Sequence, residues 1–599
     1  MRTHYPRTPH VPWSPGAGAD DVRAGDLSGL RGLEVVVTEK LDGENTTLYP
    51  DGLHARSLDS AHHPSRTWVK ALQGRIGARI PPGWRICGEN MYARHSIGYD
   101  ALASWFYGFS VWAGDRCLDW DESARFLRRL GVPTPPVLWR GVFDERELRA
   151  IRLDPARREG FVVRSVEGFE RADFGRRVAK WVRRGHVQTD THWMHAEVVP
   201  NGLGPNAALW AVRSGAKPDL PALLALLNPT DSPAAEGETV AGADAISGAE
   251  TVAVVETVAV VETVADACAR LDVLGRTGDA RLAGVLAAAL HAERRATLTP
   301  RLVPALGLPT ARRVADLVGL QAHLRRPFPD DERPRGLARL AVAADVGVLH
   351  AVAAATLTGR TGAQADAERE QVEWSALFAA DAGLLEEAPL AALRARAADA
   401  FAGLDSEVAD RCWAELRAGH AKGWSMPPEA TRRWWSGDFP RLIQTIGRSG
   451  SGKSTFAREL PGVDTLISLD ELRAARGSRT DQSANGEVLG RGLDRLDAAL
   501  AAGGTVVWDA TSLTGSQRMP VQAIAHRRDA LITHAVLLVG EDELVRRNAA
   551  REHAVPPAVL AAQARRFAPP YPGQAHRTWY IGAGGGLDDV AGSLDAEDA

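Results

Sequence analysis

The stretch Gly447-Arg-Ser-Gly-Ser-Gly452-Lys453-Ser454 constrains this chain more than any other. It fills the pattern Gly-x-x-x-x-Gly-Lys-Ser, follows an apolar run at residues 442–446 and precedes a helix-like stretch at 455–460. Strand, glycine loop and helix in that order form a phosphate cradle, because glycine backbone N–H groups wrap the anion and the helix N-terminus adds a favourable dipole. In such a loop Lys453 reaches the β- and γ-phosphates of a nucleotide and the Ser454 hydroxyl holds Mg²⁺. Gly447, Ser449, Gly450, Ser451, Gly452 and Thr455 complete the expected nucleotide-binding set. Apolar runs at 442–446, 465–469, 505–508 and 535–539 alternate with helical stretches, the pattern of a parallel α/β sheet.

A second constraint is the scarcity of lysine. Of 71 basic residues only six are lysine, at 40, 70, 180, 217, 422 and 453. A chain that uses arginine wherever it needs mere charge keeps lysine where arginine fails. Arginine does not lose its proton in a protein, so it is no amine nucleophile. Lys40, Lys180 and Lys453 all fall inside candidate motifs.

The expected fold class is multidomain α+β. It comprises a nucleotidyltransferase-like domain at 1–228, a low-complexity linker at 229–265, a central all-α domain at 266–438 and a C-terminal α/β P-loop domain at 439–599. The linker reading rests on a six-residue Glu-Thr-Val-Ala-Val-Val repeat beginning at Glu250, and the helical reading on Ala/Leu/Arg spacing at 337–354 and 390–404. Four well-separated cysteines fit neither a disulfide framework nor a zinc site. With no 20-residue apolar run and no apolar core in residues 1–12, no membrane partner is expected, and a cytoplasmic location is. The net charge of −4 leaves room for local basic grooves, such as the run Arg171, Arg176, Arg177, Lys180, Arg183 and Arg184, although such a run is by default a solvated face.

Downstream of the glycine loop the chain resembles the phage-type polynucleotide 5′-kinases over about 440–580. Ser468-Leu-Asp470-Glu-Leu-Arg473 is similar to their acceptor motif. The resemblance implies Asp470 as general base for a 5′-hydroxyl and Arg473 as the grip on a nucleic-acid phosphate. Trp508-Asp509 resembles the second acidic strand end, and Arg547-Asn548-Ala-Ala-Arg551 the lid helix, with Arg551 on the nucleotide phosphates. Gln563 and Arg566-Phe567 also look like lid residues.

The N-terminal part resembles the covalent nucleotidyltransferases, in their RNA ligase 2-like branch, over about 35–185. Glu39-Lys40-Leu-Asp42-Gly43-Glu-Asn45 resembles their motif I. This implies Lys40 as the amine that attacks the α-phosphorus of ATP, with Glu39 and Asn45 as flanking nucleotide-site residues. Arg56 fits a phosphate-binding arginine, and Glu89 a ribose-binding carboxylate. The aromatic strand 106–109 supplies an adenine-stacking ring, assigned to Phe106 although alternation sends Phe106 and Tyr107 to opposite faces. Glu159 is expected to aid the metal and Lys180 to contact the α-phosphate. Motif V commonly reads Lys-x-Lys, whereas here Val178 and Ala179 precede a lone Lys180, with Arg183 beyond.

Taken together, the resemblances imply an ATP-dependent RNA ligase and polynucleotide 5′-hydroxyl kinase. Its cofactors would be ATP and Mg²⁺ or Mn²⁺, and its partner broken RNA, with tRNA among the candidates and no protein partner implied. DNA nick repair and an RNA-end sensor are the competing readings. The central region carries His291, His323, His350 and His420 but no His-Asp dyad or paired His-x-Thr signature, so no cyclic-phosphate hydrolase is expected in it.

Overall fold

The computed structural model describes residues 2–58, 62–154, 156–185, 197–227, 247–330, 332–475, 485–551 and 554–596. The chain divides into two compact units, Met1–Val240 with Gly275–Leu282, and Ala241–Leu274 with Ala283–Ala599. It is mixed α/β throughout, with sheets at the N-terminus, helices in the middle and an α/β sheet at the C-terminus.

The first unit is built on two antiparallel sheets. One has the order β10-β8-β1-β7, from Val178–Val182, Gly160–Ser165, Glu34–Lys40 and Val137–Val142. The other has the order β3-β2-β4-β5-β6-β9, from Gly52–Ala55, Glu44–Tyr49, Trp84–Asn90, Phe106–Ala113, Arg116–Cys117 and Phe169–Glu170. β1 reads Glu-Val-Val-Val-Thr-Glu-Lys, and its three valines are fully buried, as expected for the central strand of a covered sheet. Running out of apolar residues, it ends on Lys40, in register with Gly160 of β8.

The second unit carries a six-stranded sheet of order β12-β13-β11-β14-β15-β16, from Thr465–Ser468, Thr505–Asp509, Arg441–Ile446, Leu531–Leu537, Arg577–Ile581 and Leu587–Ala591. Every pairing is parallel except β15 with β16. The glycine loop leaves the C-terminal end of β11, a central strand, where the sheet's geometry opens a crevice for ligands. Trp508, 1% exposed, fills one face of this sheet together with Leu442, Val506 and Ile532.

The helical stretch and this sheet share a core, so the boundary expected at 438/439 lies inside one compact unit. Trp413, Trp434 and Phe439 pack with Leu531 of β14. Arg577 of β15 reaches Asp410 at 3.1 Å. Trp434 and Trp435 both lie in this packing, the Trp435 indole donating to the Thr431 hydroxyl. The start of the segment read as linker lies outside the described residues, but from Ser247 on the repeat is helical, in Ser247–Val273. Val264, Ala267, Cys268 and Leu271 are buried at helical spacing, and the preceding repeat has no glycine or proline after Gly248 to stop the helix. Among the described residues no single helix is long and apolar enough to cross a membrane.

Trp508→Ala is expected to destabilise the second unit by about 3–5 kcal/mol through the cavity it leaves. In urea unfolding of the full chain the transition of that unit should move to lower denaturant while that of the first unit stays in place.

Candidate active sites

At the end of β1 the Lys40 ammonium is 2.5 Å from Oε2 of Glu159, the residue just before β8. Burial drives Lys40 toward the neutral amine, but Glu159 and Glu89 outweigh it, and the lysine is held above its ordinary value. Glu89, near the end of β4, is raised to about 8 by burial, against the pull of Lys40, with Glu159 and Asp42 adding to the rise. Lys180 on β10 is lowered, first by burial and then by Lys40. Arg56 also lowers it, so Lys40, Asp42, Arg56, Glu89, Glu159 and Lys180 share one electrostatic neighbourhood. Lys180 also lies 3.9 Å from Asp21, in the segment that runs beside β10.

The turn after Lys40 is held from both sides. The Asp42 carboxylate accepts from the Ile97 amide at 2.9 Å, and the Asp42 amide donates to the Tyr99 hydroxyl at 3.1 Å. A Cβ on Gly43 would lie 2.6 Å from the Asn90 carbonyl, 2.7 Å from Met91 Sδ and 3.0 Å from Glu89 Cγ. Glycine at 43 is therefore what lets the turn approach the Glu89 carboxylate. Asn45 is in register with Glu89, and so is Tyr107, which puts all three on one face of the sheet.

The assignment of Phe106 to adenine stacking is corrected by the structure. Phe106 is fully buried in the core with Leu48, Val69, Leu72 and Leu127, on the face opposite Glu89. A register shift between Cys87 and Gly88 breaks the alternation, and Phe109 beyond it is half-buried, its ring 5.1 Å from that of Tyr5. Phe109 packs against the cluster of Cys87, Trp112, Phe169 and Phe174, and so does Val162, which is in register with both Thr38 and Lys180. Glu39, one residue before the lysine, turns the other way and pairs with Arg158 at 3.2 Å.

In the second unit the loop from Gly447 leads into the helix Lys453–Glu459, with Gly450 and Gly452 in left-handed conformations at φ 86° and 97°. Lys453 is buried and donates to the Arg448 carbonyl at 2.8 Å. Burial lowers it to about 8, while Asp509 and Asp470 hold the proton on and Arg551 repels it. The structure thus brings Lys453, Asp470, Asp509 and Arg551 into one field. Asp470 is exposed in the first turn of the helix Leu469–Ala474 and pairs with Arg473 at 2.6 Å, so these two side chains engage each other.

The Ser451 hydroxyl is buried without a hydrogen-bond partner among the described residues. An anion in the loop would satisfy it. The Ser449 amide donates to Gln563 Oε1 at 2.8 Å, and Gln563 Nε2 donates to Ser449 Oγ at 2.9 Å, tying the helix Pro557–Arg566 to the loop. Sequence reasoning did not find the pairs Arg448–Glu541, Arg158–Glu39 or the buried Arg66–Glu44. Each joins residues far apart in the chain that no local pattern links.

An RNA ligase family model matches residues 33–182, and an AAA domain family model matches residues 442–570. The chain carries an RNA ligase domain and an AAA domain. No curated protein matches. Among solved structures, a Naegleria gruberi RNA ligase mutant with ATP and Mn is 17% identical, over 26% of this chain and 52% of that one, with a TM-score of 0.20. A Pnkp1/Rnl/Hen1 RNA repair complex is 23% identical over 21% of this chain and 44% of its own, TM-score 0.19. The chain thus spans about half the length, or less, of these ligase relatives. An APS kinase from Mycobacterium tuberculosis matches at 18% identity over 25% of this chain and 92% of its own, TM-score 0.20. Within the RNA ligase domain lie Lys40, Glu89, Glu159 and Lys180; within the AAA domain lie the glycine loop, Asp470, Asp509 and Arg551.

Gly43→Ala is expected to cost the RNA ligase domain about 1–3 kcal/mol, because the turn, the Asn90 carbonyl and Met91 must all shift. Gly74→Ala, at an exposed helical position with nothing within 4 Å, should be neutral or stabilising by up to about 1 kcal/mol. Urea denaturation of the two variants side by side checks the difference; equal midpoints would contradict the close approach at Gly43.

Proposed function

We propose that the chain is an RNA end-repair enzyme that phosphorylates a 5′-hydroxyl RNA end in the AAA domain and seals it to a 3′-hydroxyl in the RNA ligase domain. The observation that carries the reading is the half-buried Lys40 amine in contact with Glu159, with Glu89 and Lys180 in the same field. ATP is the substrate of both sites, and broken RNA the acceptor. Oxygen donors, the Glu159 carboxylate in one site and the Ser454 hydroxyl with Asp509 in the other, would suit a hard divalent cation such as Mg²⁺ or Mn²⁺, although among the described residues no three carboxylates gather into a ready-made metal site. Bound there, the cation neutralises phosphate charge.

In the RNA ligase domain Lys40 gives up a proton, for which Glu159 Oε2 is the acceptor at hydrogen-bond distance, and its amine attacks the α-phosphorus of ATP. The α–β phosphoanhydride bond breaks, pyrophosphate leaves, and Lys40 carries AMP through a phosphoramide bond. Lys180, with burial favouring close contact to an anion, and Arg56 bind the α-phosphate. Phe109 offers the ring for adenine. A 5′-phosphate oxygen of RNA then displaces the lysine, giving RNA adenylate, and the 3′-hydroxyl attacks that phosphate and releases AMP. In the AAA domain Asp470 takes the proton of the 5′-hydroxyl as it attacks the γ-phosphorus, and Lys453 and Arg551 balance the charge on the phosphates. DNA as the sealed nucleic acid is the alternative, separated by running one sealing assay on matched RNA and DNA ends.

With α-labelled ATP and a divalent cation the wild-type chain should form a covalent AMP adduct. Lys40→Arg should form none, because the guanidinium keeps its proton. Lys453→Ala should keep the adduct while γ-phosphate transfer to a 5′-hydroxyl oligonucleotide falls by at least ~10²-fold. Adduct on Lys40→Arg refutes the ligase assignment, and a free nucleoside or sugar that outperforms both RNA and DNA oligonucleotides refutes the kinase assignment.

A further inference from the structure

The second unit contains a cavity of about 770 Å³ away from the glycine loop, between the central helices and the segment 571–576 that leads into β15. Its composition is one-sided. Arg326, Arg333, Arg339, Arg417 and Lys422 line it, and among the described residues no aspartate or glutamate does, in a chain with more acidic than basic residues. Two of these cations have structural duties: Arg333 donates to the Phe328 carbonyl and Gln371, and Arg417 to the Gly592 carbonyl. Arg326 and Arg339 are exposed, and among the described residues neither has a carboxylate within ion-pairing distance. Lys422 sits over the Trp424 ring at 4.8 Å.

Beneath this rim the floor is apolar, formed by side chains such as Leu337, Leu340 and Ala343. Phe328, 39% exposed, adds an aromatic ring to the lining. His576 accepts from the Ile532 amide through Nδ1, which fixes Nε2 as the protonated nitrogen of a neutral ring; burial and nearby arginines keep it neutral. An apolar floor, an aromatic face, an imidazole donor and a cationic rim are the parts of a site for a flat heterocycle joined to phosphates.

The cavity is at the opposite edge of the sheet from phosphoryl transfer. Ile532 is in register with Leu442 near the start of β11, whereas the glycine loop follows its end, about 17 Å further along the strand. A ligand in the cavity is therefore not the group being phosphorylated.

We propose that this cavity is a second binding site of the AAA-domain unit, one that takes a nucleobase of single-stranded RNA on its floor and the flanking phosphates on Arg326 and Arg339. The inference rests on the RNA end-repair reading, and it assigns the site to nucleotides downstream of the 5′ end. Base stacking and charge together explain why both the aromatic and the unpaired arginines are kept at one mouth.

The test uses the full chain and a fluorescent single-stranded RNA oligonucleotide, measured by anisotropy over a salt series. Arg326→Ala with Arg339→Ala should weaken binding about tenfold at low salt. It should also make the plot of log affinity against log salt shallower by about 1.4, since each phosphate contact on a single strand contributes ~0.7. Phe328→Ala should leave the salt slope unchanged and remove the preference of wild type for the oligonucleotide over its abasic counterpart. In the kinase assay the double variant should raise KM for the long acceptor and leave a mononucleotide acceptor unaffected. Unchanged RNA binding in the double variant overturns the proposal, as does inorganic polyphosphate competing as well as RNA, or a fatty-acid anion displacing it. Kinase preference for a small metabolite would instead defeat the end-repair reading while the binding comparison still reports on the cavity.

Discussion

Both candidate sites depend on the same arrangement: a lysine ammonium taken out of water at the end of a buried strand and compensated by fixed oxygens. An uncompensated ammonium in such a place would lose its proton or the fold would open. Lys40 ends β1 and meets the Glu159 carboxylate; Lys453 follows β11 and meets the Arg448 carbonyl. The strands do the positioning. β1 is locked between β7 and β8, and β11 between β13 and β14, so neither lysine has room to drift.

The compensation differs, and so does the chemistry it supports. Lys40 faces the Glu159 and Glu89 carboxyl groups, which outweigh burial and hold its proton on. Such a lysine is protected from unproductive reaction. Lys453 faces a carbonyl dipole, with Asp509 and Asp470 further off, and burial takes it down to about 8. Its proposed work is only to carry charge to phosphate. One lysine is proposed to make a bond and the other to balance charge, and the sequence's reluctance to use lysine anywhere else is consistent with that.

The glycine loop was legible in the sequence because its information is contiguous: strand, turn and helix occupy some twenty residues, and each has a local signature. The strand that delivers Lys40, and the gathering of Glu89, Glu159 and Lys180 around it, were legible as separated motifs. The burial of Phe106 was not. Alternation puts Phe106 and Tyr107 on opposite faces without saying which face is the core, and the bulge that follows at Phe109 leaves no mark in the residues themselves. Helix Ser247–Val273 was obscured by its repetitive composition, although the buried stripe at its C-terminal half carries helical spacing. The shared core of helices and sheet rests on contacts such as Trp413 to Leu531, which no window of sequence contains.

If the two sites work in order, sealing of a 5′-hydroxyl end requires the AAA domain first, because the ligase reaction needs a 5′-phosphate to receive AMP. Asp470 is the residue on which to test this, since it is exposed and its loss should not disturb the core. The measurement is the sealing yield of Asp470→Ala on two otherwise identical RNAs, one ending in a 5′-hydroxyl and one in a 5′-phosphate. The account predicts no sealing of the first and wild-type sealing of the second; equal sealing of both would contradict it.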